Sequence, residues 1–204
     1  MKYVSIVLVA LIALLSGPRP VDAAVVTITF EGQSNTIYVA PITRSNFDIG
    51  NPIGDLQHFH EITSTGFGLP NNGTGVLLND RDTEIFVIPN AGAGFSVFSL
   101  VSVDVASALN NFPANDLLIE GFLNNISTGT ILVSPLGNGY TTVNGASLGI
   151  VDRLVFDGLG NQGGFVLDNL ALDDAPAVPE PASLAIWGLV SLGAVAFGRR
   201  RKVA

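Results

Sequence analysis

His58 and His60 lie two residues apart with Glu61 behind them, so on a strand both imidazoles would point to one face. A zinc or copper site needs three or four ligands, and the chain has no other histidine and no cysteine to complete one. The pair therefore reads as surface polar residues near a loop. Asp80, Asp82 and Glu84 alternate in the same way and offer hard oxygens, but without the glycine and flanking helices of an EF-hand they read as a solvated edge. Gly145-Ala146-Ser147-Leu148-Gly149 has the G-x-S-x-G spacing of a nucleophile elbow, which needs a strand before it and a helix after it. The run Ile150 to Phe156 behind it is strand-like, and both histidines lie upstream of the serine, so the segment reads as a glycine-rich turn. Gly158-Leu159-Gly160-Asn161-Gln162-Gly163 matches G-x-G-x-x-G but opens into another strand, without the helix N-terminus that would hold a pyrophosphate. It reads as a hairpin connection. Asp168 is the most unusual acid: strict alternation puts it on one strand face with Val166, Leu170 and Leu172. If that face is the core, the carboxylate must be paired, hydrogen-bonded or bound to a cation, and capping of backbone amides is the simplest outcome.

The elements that would position these groups are strands. Val25 to Phe30 alternates Val26, Ile28 and Phe30 against Thr27 and Thr29. Further strands are expected over Glu84 to Ile88, Gly94 to Val105, Asp116 to Phe122, Thr130 to Val133, Leu148 to Phe156 and Phe165 to Leu172, separated by Asn, Gly and Pro clusters. No segment between residues 24 and 178 sustains a 3.6-residue period, and no internal repeat is present. Many short strands without crossover helices predict an all-β antiparallel sandwich or jelly roll.

The two ends carry addresses. Lys2, the twelve apolar residues Val4 to Leu15, the Ser16-Gly17-Pro18 break and the small residues Val21 and Ala23 predict a signal peptide cut after Ala23. At the other end, Ala182 to Gly198 is a 17-residue uncharged run closed by Arg199, Arg200, Arg201 and Lys202, which predicts one transmembrane helix with its basic tip in the cytoplasm. The expected organisation is 1–23 signal peptide, 24–174 β-sandwich, 175–181 linker, 182–198 transmembrane helix and 199–204 basic tail. Between residues 24 and 178, fifteen acids face only Arg44, Arg81 and Arg153, a net charge of −12. Such a surface repels nucleic acid and opposes self-association, so a monomer is expected.

Pro179-Glu180-Pro181, the apolar run containing Trp187 and the arginine cluster resemble the PEP-CTERM sorting region of Gram-negative bacteria that make exopolysaccharide. The resemblance implies signal peptidase and exosortase as processing enzymes, with the product anchored at the C-terminus and then released to the cell surface or matrix. The exported part also resembles a common PEP-CTERM ectodomain type through Phe30-Glu31, the run Phe98 to Asp104, and Gly164-Phe165-Val166-Leu167-Asp168-Asn169. That likeness implies a jelly roll with its first and last strands adjacent. By similarity to calcium-bearing carbohydrate-binding sandwiches, it also implies Glu31 and Asp168 as ligands of a structural Ca²⁺. The expected role is a non-enzymatic envelope or extracellular-matrix protein that associates with exopolysaccharide or binds carbohydrate. The alternative is a secreted carbohydrate-active hydrolase using two carboxylates. It is disfavoured because Tyr38 and Tyr140 are the only exposed-type aromatics expected in the domain and the sole Trp lies in the tail.

Overall fold

The computed structural model describes residues 24–31, 36–37, 41–51, 59–63, 70, 74–79, 84–108, 113–160 and 163–174. The expected signal peptide, His58, Asp80, Asp82 and everything from residue 175 onward lie outside them, as do the side chains of His60 and Glu61. Among the described residues no helix is long and apolar enough to cross a membrane.

Fourteen strands run through the described residues in order: β1 (Val25–Ile28), β2 (Thr36–Ile37), β3 (Ile42–Arg44), β4 (Phe47–Gly50), β5 (Phe59–Thr63), β6 (Gly75–Asn79), β7 (Glu84–Pro89), β8 (Phe98–Ser107), β9 (Asp116–Leu123), β10 (Ile126–Val133), β11 (Thr141–Asn144), β12 (Ile150–Val151), β13 (Arg153–Leu159) and β14 (Phe165–Asp173). Each pairing among them is antiparallel. One sheet runs β11-β8-β14-β6-β5-β2, with β1 on β14 and β12 on β8; the other runs β10-β9-β13-β7-β4-β3. An all-β antiparallel sandwich is therefore what the chain forms, and its first and last strands are neighbours, as Val25 opposite Asp173 and Ile28 opposite Leu170 record.

Local sequence explains the hairpins. Ser45-Asn46 and Asn124-Asn125 all have positive φ, between 47° and 71°, so each pair makes the two-residue turn whose twist matches that of its strands, β3 with β4 and β9 with β10. Asparagine tolerates this region better than other residues with a Cβ. The core between the sheets is built on Phe30, Phe47, Phe98, Phe156 and Phe165, all fully buried. Phe47 meets Phe98 edge-on at 5.0 Å and Phe95 at 5.4 Å. Each ring contributes roughly 2–3 kcal/mol through burial.

Three expectations change. Leu148 to Phe156 is not one strand: Ala146–Leu148 is a 3-10 turn, β12 pairs with β8, and after Asp152 the chain enters the opposite sheet as β13. Asp152 fixes the crossing, its N–H donating to the Phe122 carbonyl and its carboxylate accepting from the Asn124 N–H. The Gly158 to Gly163 connection is likewise no hairpin, because β13 and β14 lie in different sheets. Its tightness needs glycine, since a Cβ at Gly158 would sit 1.9 Å from the Gly163 carbonyl oxygen. The third change is the face of Asp168. A bulge between Asp168 and Ala171 breaks the alternation, with Asn169 at φ 46°. Leu167, Leu170 and Leu172 therefore all belong to the main core, whereas Val166 belongs to a second apolar cluster with Val76, Leu78, Ala106 and Ala108. Asp168 shares a face with Val166 and lies opposite the main core.

A Cβ at Gly75 would come 2.0 Å from the Phe30 carbonyl oxygen, while one at Gly139 would meet nothing within 4 Å. Gly75→Ala should lower the unfolding free energy by about 1–3 kcal/mol in a denaturant titration, and Gly139→Ala should change it by less than about 0.5 kcal/mol. Equal effects from the two would contradict the close approach of β6 to the end of β1.

Candidate functional site

Two places concentrate polar chemistry, one on the outer face of each sheet. The first is the seam along β14. One edge of β14 is taken by β8 along nearly its whole length; the other is shared by β6, opposite Phe165 to Leu167, and β1, opposite Leu170 to Asp173. Asp168 and Asn169 fall in the gap where β6 and β1 abut. Asp168 is fully buried there. Its Oδ2 accepts from the Thr74 hydroxyl at 2.7 Å and its Oδ1 from the Asn169 N–H at 2.7 Å. Asp104 lies directly opposite on β8, accepting from Thr142 Oγ1 at 2.5 Å and from Asn169 Nδ2 at 2.8 Å. Asn169 thus bridges two carboxylates that would otherwise repel each other. Tyr140 packs against the apolar cluster beside them, and its buried hydroxyl has no hydrogen-bond partner among the described residues. Its burial, and then the charges of Asp168 and Asp104, push the phenol well above the usual tyrosine range.

Glu31, the other residue proposed for calcium, follows β1 and reaches the same seam. Its Oε1 accepts from the Gly75 N–H at 3.3 Å, one residue beyond the threonine that serves Asp168. The two carboxylates are thus brought to successive residues of one segment, each with a protein donor. Among the described residues no group of three or more His, Asp or Glu is placed to hold a metal ion.

The second place is a groove of about 570 Å³ on the outer face of the other sheet, lined by Glu84, Phe86 and Ile88 of β7, Glu120 and Phe122 of β9, and Arg153 and Val155 of β13. The central strand of the three is β13, so Val155 stands between Phe86 and Glu120, and Arg153 opposite Phe122. Alternation produces this face: the intervening Ile85, Val87, Ile119, Leu154 and Phe156 are buried in the core. Gly50, paired with Phe86 on β4, makes room for the ring, since a Cβ there would lie 2.9 Å from Phe86 Cζ. The Arg153 guanidinium carbon sits 4.4 Å from the Phe122 ring centroid, and its shielded Nε has no hydrogen-bond partner among the described residues. This arrangement gathers two aromatic rings, one of them under the guanidinium, one planar donor and two carboxylate acceptors within one concave surface. Sequence reasoning missed it because Phe86 and Phe122 stand in strands apolar on both faces. The signal available was Glu84 and Glu120, each two residues from a phenylalanine and hence on its face.

Residues 177–202 match the PEP-CTERM protein-sorting motif. The chain carries that motif, with Pro179, Glu180, Pro181 and Arg199 to Arg201 inside it. Among curated proteins none matches. Among solved structures, a family 29 carbohydrate-binding module from Piromyces equi is similar at 12% identity and a TM-score of 0.43, over 76% of this chain and 92% of that one. A cleaved adhesin domain of Lys-gingipain from Porphyromonas gingivalis is similar at 11% identity and a TM-score of 0.47, over 73% of this chain and 97% of that one.

The raised Tyr140 ionisation has a pH consequence. Above pH 10.0, the ordinary tyrosine value, the unfolded chain loses this proton while the folded one retains it, so stability falls as pH rises further. Tyr140→Phe removes only an unpartnered hydroxyl and should flatten that alkaline limb with little change near neutrality, as read by melting temperature between pH 8 and 11. An unchanged limb would mean that the Tyr140 phenol ionises in the folded chain as it does in the unfolded one.

Proposed function

We propose that this chain, carrying a PEP-CTERM sorting motif behind an all-β sandwich, is an exported, non-enzymatic protein of the envelope or extracellular matrix that binds polysaccharide in the Phe86–Phe122 groove. The motif supports export and C-terminal processing by exosortase. The observation that carries the binding reading is the groove itself, lined by two half-buried rings and by a guanidinium that lies over one of them, Phe122, and whose Nε has no hydrogen-bond partner among the described residues. A sugar ring has an apolar C–H face that can lie on such rings, while its rim of hydroxyls can accept from Arg153 and donate to Glu84 or Glu120. In this reading the mature chain begins at Ala24 and ends near Pro179-Glu180-Pro181. The Ala24 nitrogen donates to Asp174 Oδ1 at 2.8 Å, so a cut after Ala23 would leave every described strand intact and turn this contact into a charged pair.

The hydrolase alternative keeps one support, that Glu84 and Glu120 line the same groove. Their strands are separated by β13, which puts the backbones on the order of 10 Å apart. The test is to recover the protein from a host that has exosortase and exopolysaccharide. Its mass should lack Arg199 to Lys202, and it should co-fractionate with the polysaccharide while leaving polymer length unchanged. Phe86→Ala with Phe122→Ala should release it while the chain still folds and its C-terminal processing is unchanged, with some loss of melting temperature because both rings are half-buried. Retention of the double variant on the polymer would remove the groove from the reading, and shortening of the polymer would favour the hydrolase.

Calcium at the seam is proposed as a structural staple joining Glu31 and Asp168, which reach successive residues of one segment. A bound ion would stabilise the fold by mass action, by about 2.7 kcal/mol at a hundredfold excess over its dissociation constant, and so raise the melting temperature, and Asp168→Ala would cancel the gain. The same melting temperature in calcium and in chelator would leave the hydrogen bonds from Thr74, Gly75 and Asn169 as the whole account.

A further inference from the structure

We infer that the groove selects glycans that carry free amines and rejects those that carry carboxylates; this rests on the polysaccharide reading above. The charges lining it are two carboxylates and one guanidinium: Glu84 on β7, Glu120 on β9 and Arg153 between them on β13. Arg153 cannot offset this for an incoming anion, because it is one charge against two in the groove and one of its faces lies over Phe122. A uronate would therefore lose hydration against Glu84 and Glu120 with a single cation to compensate. An ammonium meets the reverse: two carboxylates outnumber the one guanidinium, and the Phe86 ring beside them also favours a cation on its face.

The wider field has the same sign, since the span from residue 24 to 178 carries a net charge of −12 and would concentrate cationic polymers near the surface. That field alone is blunt and gives no geometric preference. The groove adds one, because Glu84 and Glu120 line the same concave surface as the Phe86 ring on which a ligand would stack. Arg153 keeps a role for neutral positions of the same polymer, donating to ring or hydroxyl oxygens.

The experiment uses the full-length chain in nonionic detergent, with chelator present so that no divalent cation bridges carboxylates. Four probes are compared at low salt: oligomers of glucosamine, of N-acetylglucosamine, of glucose and of galacturonate. The glucosamine oligomer should bind at least roughly tenfold tighter than its acetylated counterpart, with galacturonate weakest. That is the scale of one or two partly exposed ion pairs. Glu84→Gln with Glu120→Gln should erase the preference while leaving binding of the glucose oligomer in place, and Phe86→Ala with Phe122→Ala should abolish binding of both. Equal affinity for the amine and acetyl oligomers, or tighter binding of galacturonate, overturns the selectivity and leaves polysaccharide binding standing. An amine preference that survives loss of both rings assigns it to the field of the whole domain and overturns the groove's role. No binding of any probe by a folded chain overturns both readings.

Discussion

A buried carboxylate at a seam between strands is the constraint on which the sandwich depends. Asp168 has no access to water, so its two oxygens must be satisfied by the protein. They are satisfied by the Thr74 hydroxyl from the start of β6 and by the next N–H of its own strand. To present that N–H, Asn169 enters the left-handed region and the strand bulges. The bulge takes up one residue, which is why Leu167 and Leu170 can both face the core on either side of it. Without this step Leu167 and Leu170 would turn to opposite faces of β14. Asn169 also anchors Asp104, so one irregular residue ties β14 to β8 through side chains where the backbone ladder is interrupted.

The two sheets divide the work. The β14 sheet has apolar residues on both faces, with Val76, Leu78, Ala106 and Val166 forming a second cluster behind the main core. The β13 sheet has its core on one side and a mixed aromatic and charged face on the other. That asymmetry leaves the groove lined by Phe86, Phe122, Glu84, Glu120 and Arg153 on the outer face of the second sheet. Gly50 on β4 leaves room on that face for the Phe86 ring.

Much of this was legible in the residues. Alternation located β7, β9 and β14, asparagine and glycine clusters marked turns, and the closing motif gave the sorting signal. Two kinds of feature were not. Counting by twos through Asp168 put Leu170 and Leu172 on its face, because a bulge changes the phase without leaving a distinctive residue; Asn169 is only a permissive one. Likewise, Glu84, Phe86 and Ile88 compete with Ile85 and Val87 for the core, and both sets are apolar enough to win. Which set turns inward is decided by the opposite sheet. Phe86 and Phe122 were therefore missed as surface aromatics, and Tyr140, counted as exposed, proved to be partly buried against the apolar cluster. The division of Leu148 to Phe156 at Asp152 was hidden for a similar reason, since a strand that changes sheets keeps its hydrophobic pattern.

The position of β14 has a mechanical side. It is the last strand described, and the polypeptide continues from Asp173 toward the sorting motif. It is also interior to its sheet, with β8 along one flank and β6 and β1 along the other. Tension drawn through the C-terminal side enters along the strand axis and is opposed by rungs on both flanks at once. Such a strand must be sheared free as a unit, whereas an edge strand could be peeled one bond at a time. A domain tethered at that end and gripped elsewhere by a polymer would meet drag in its stiffest direction.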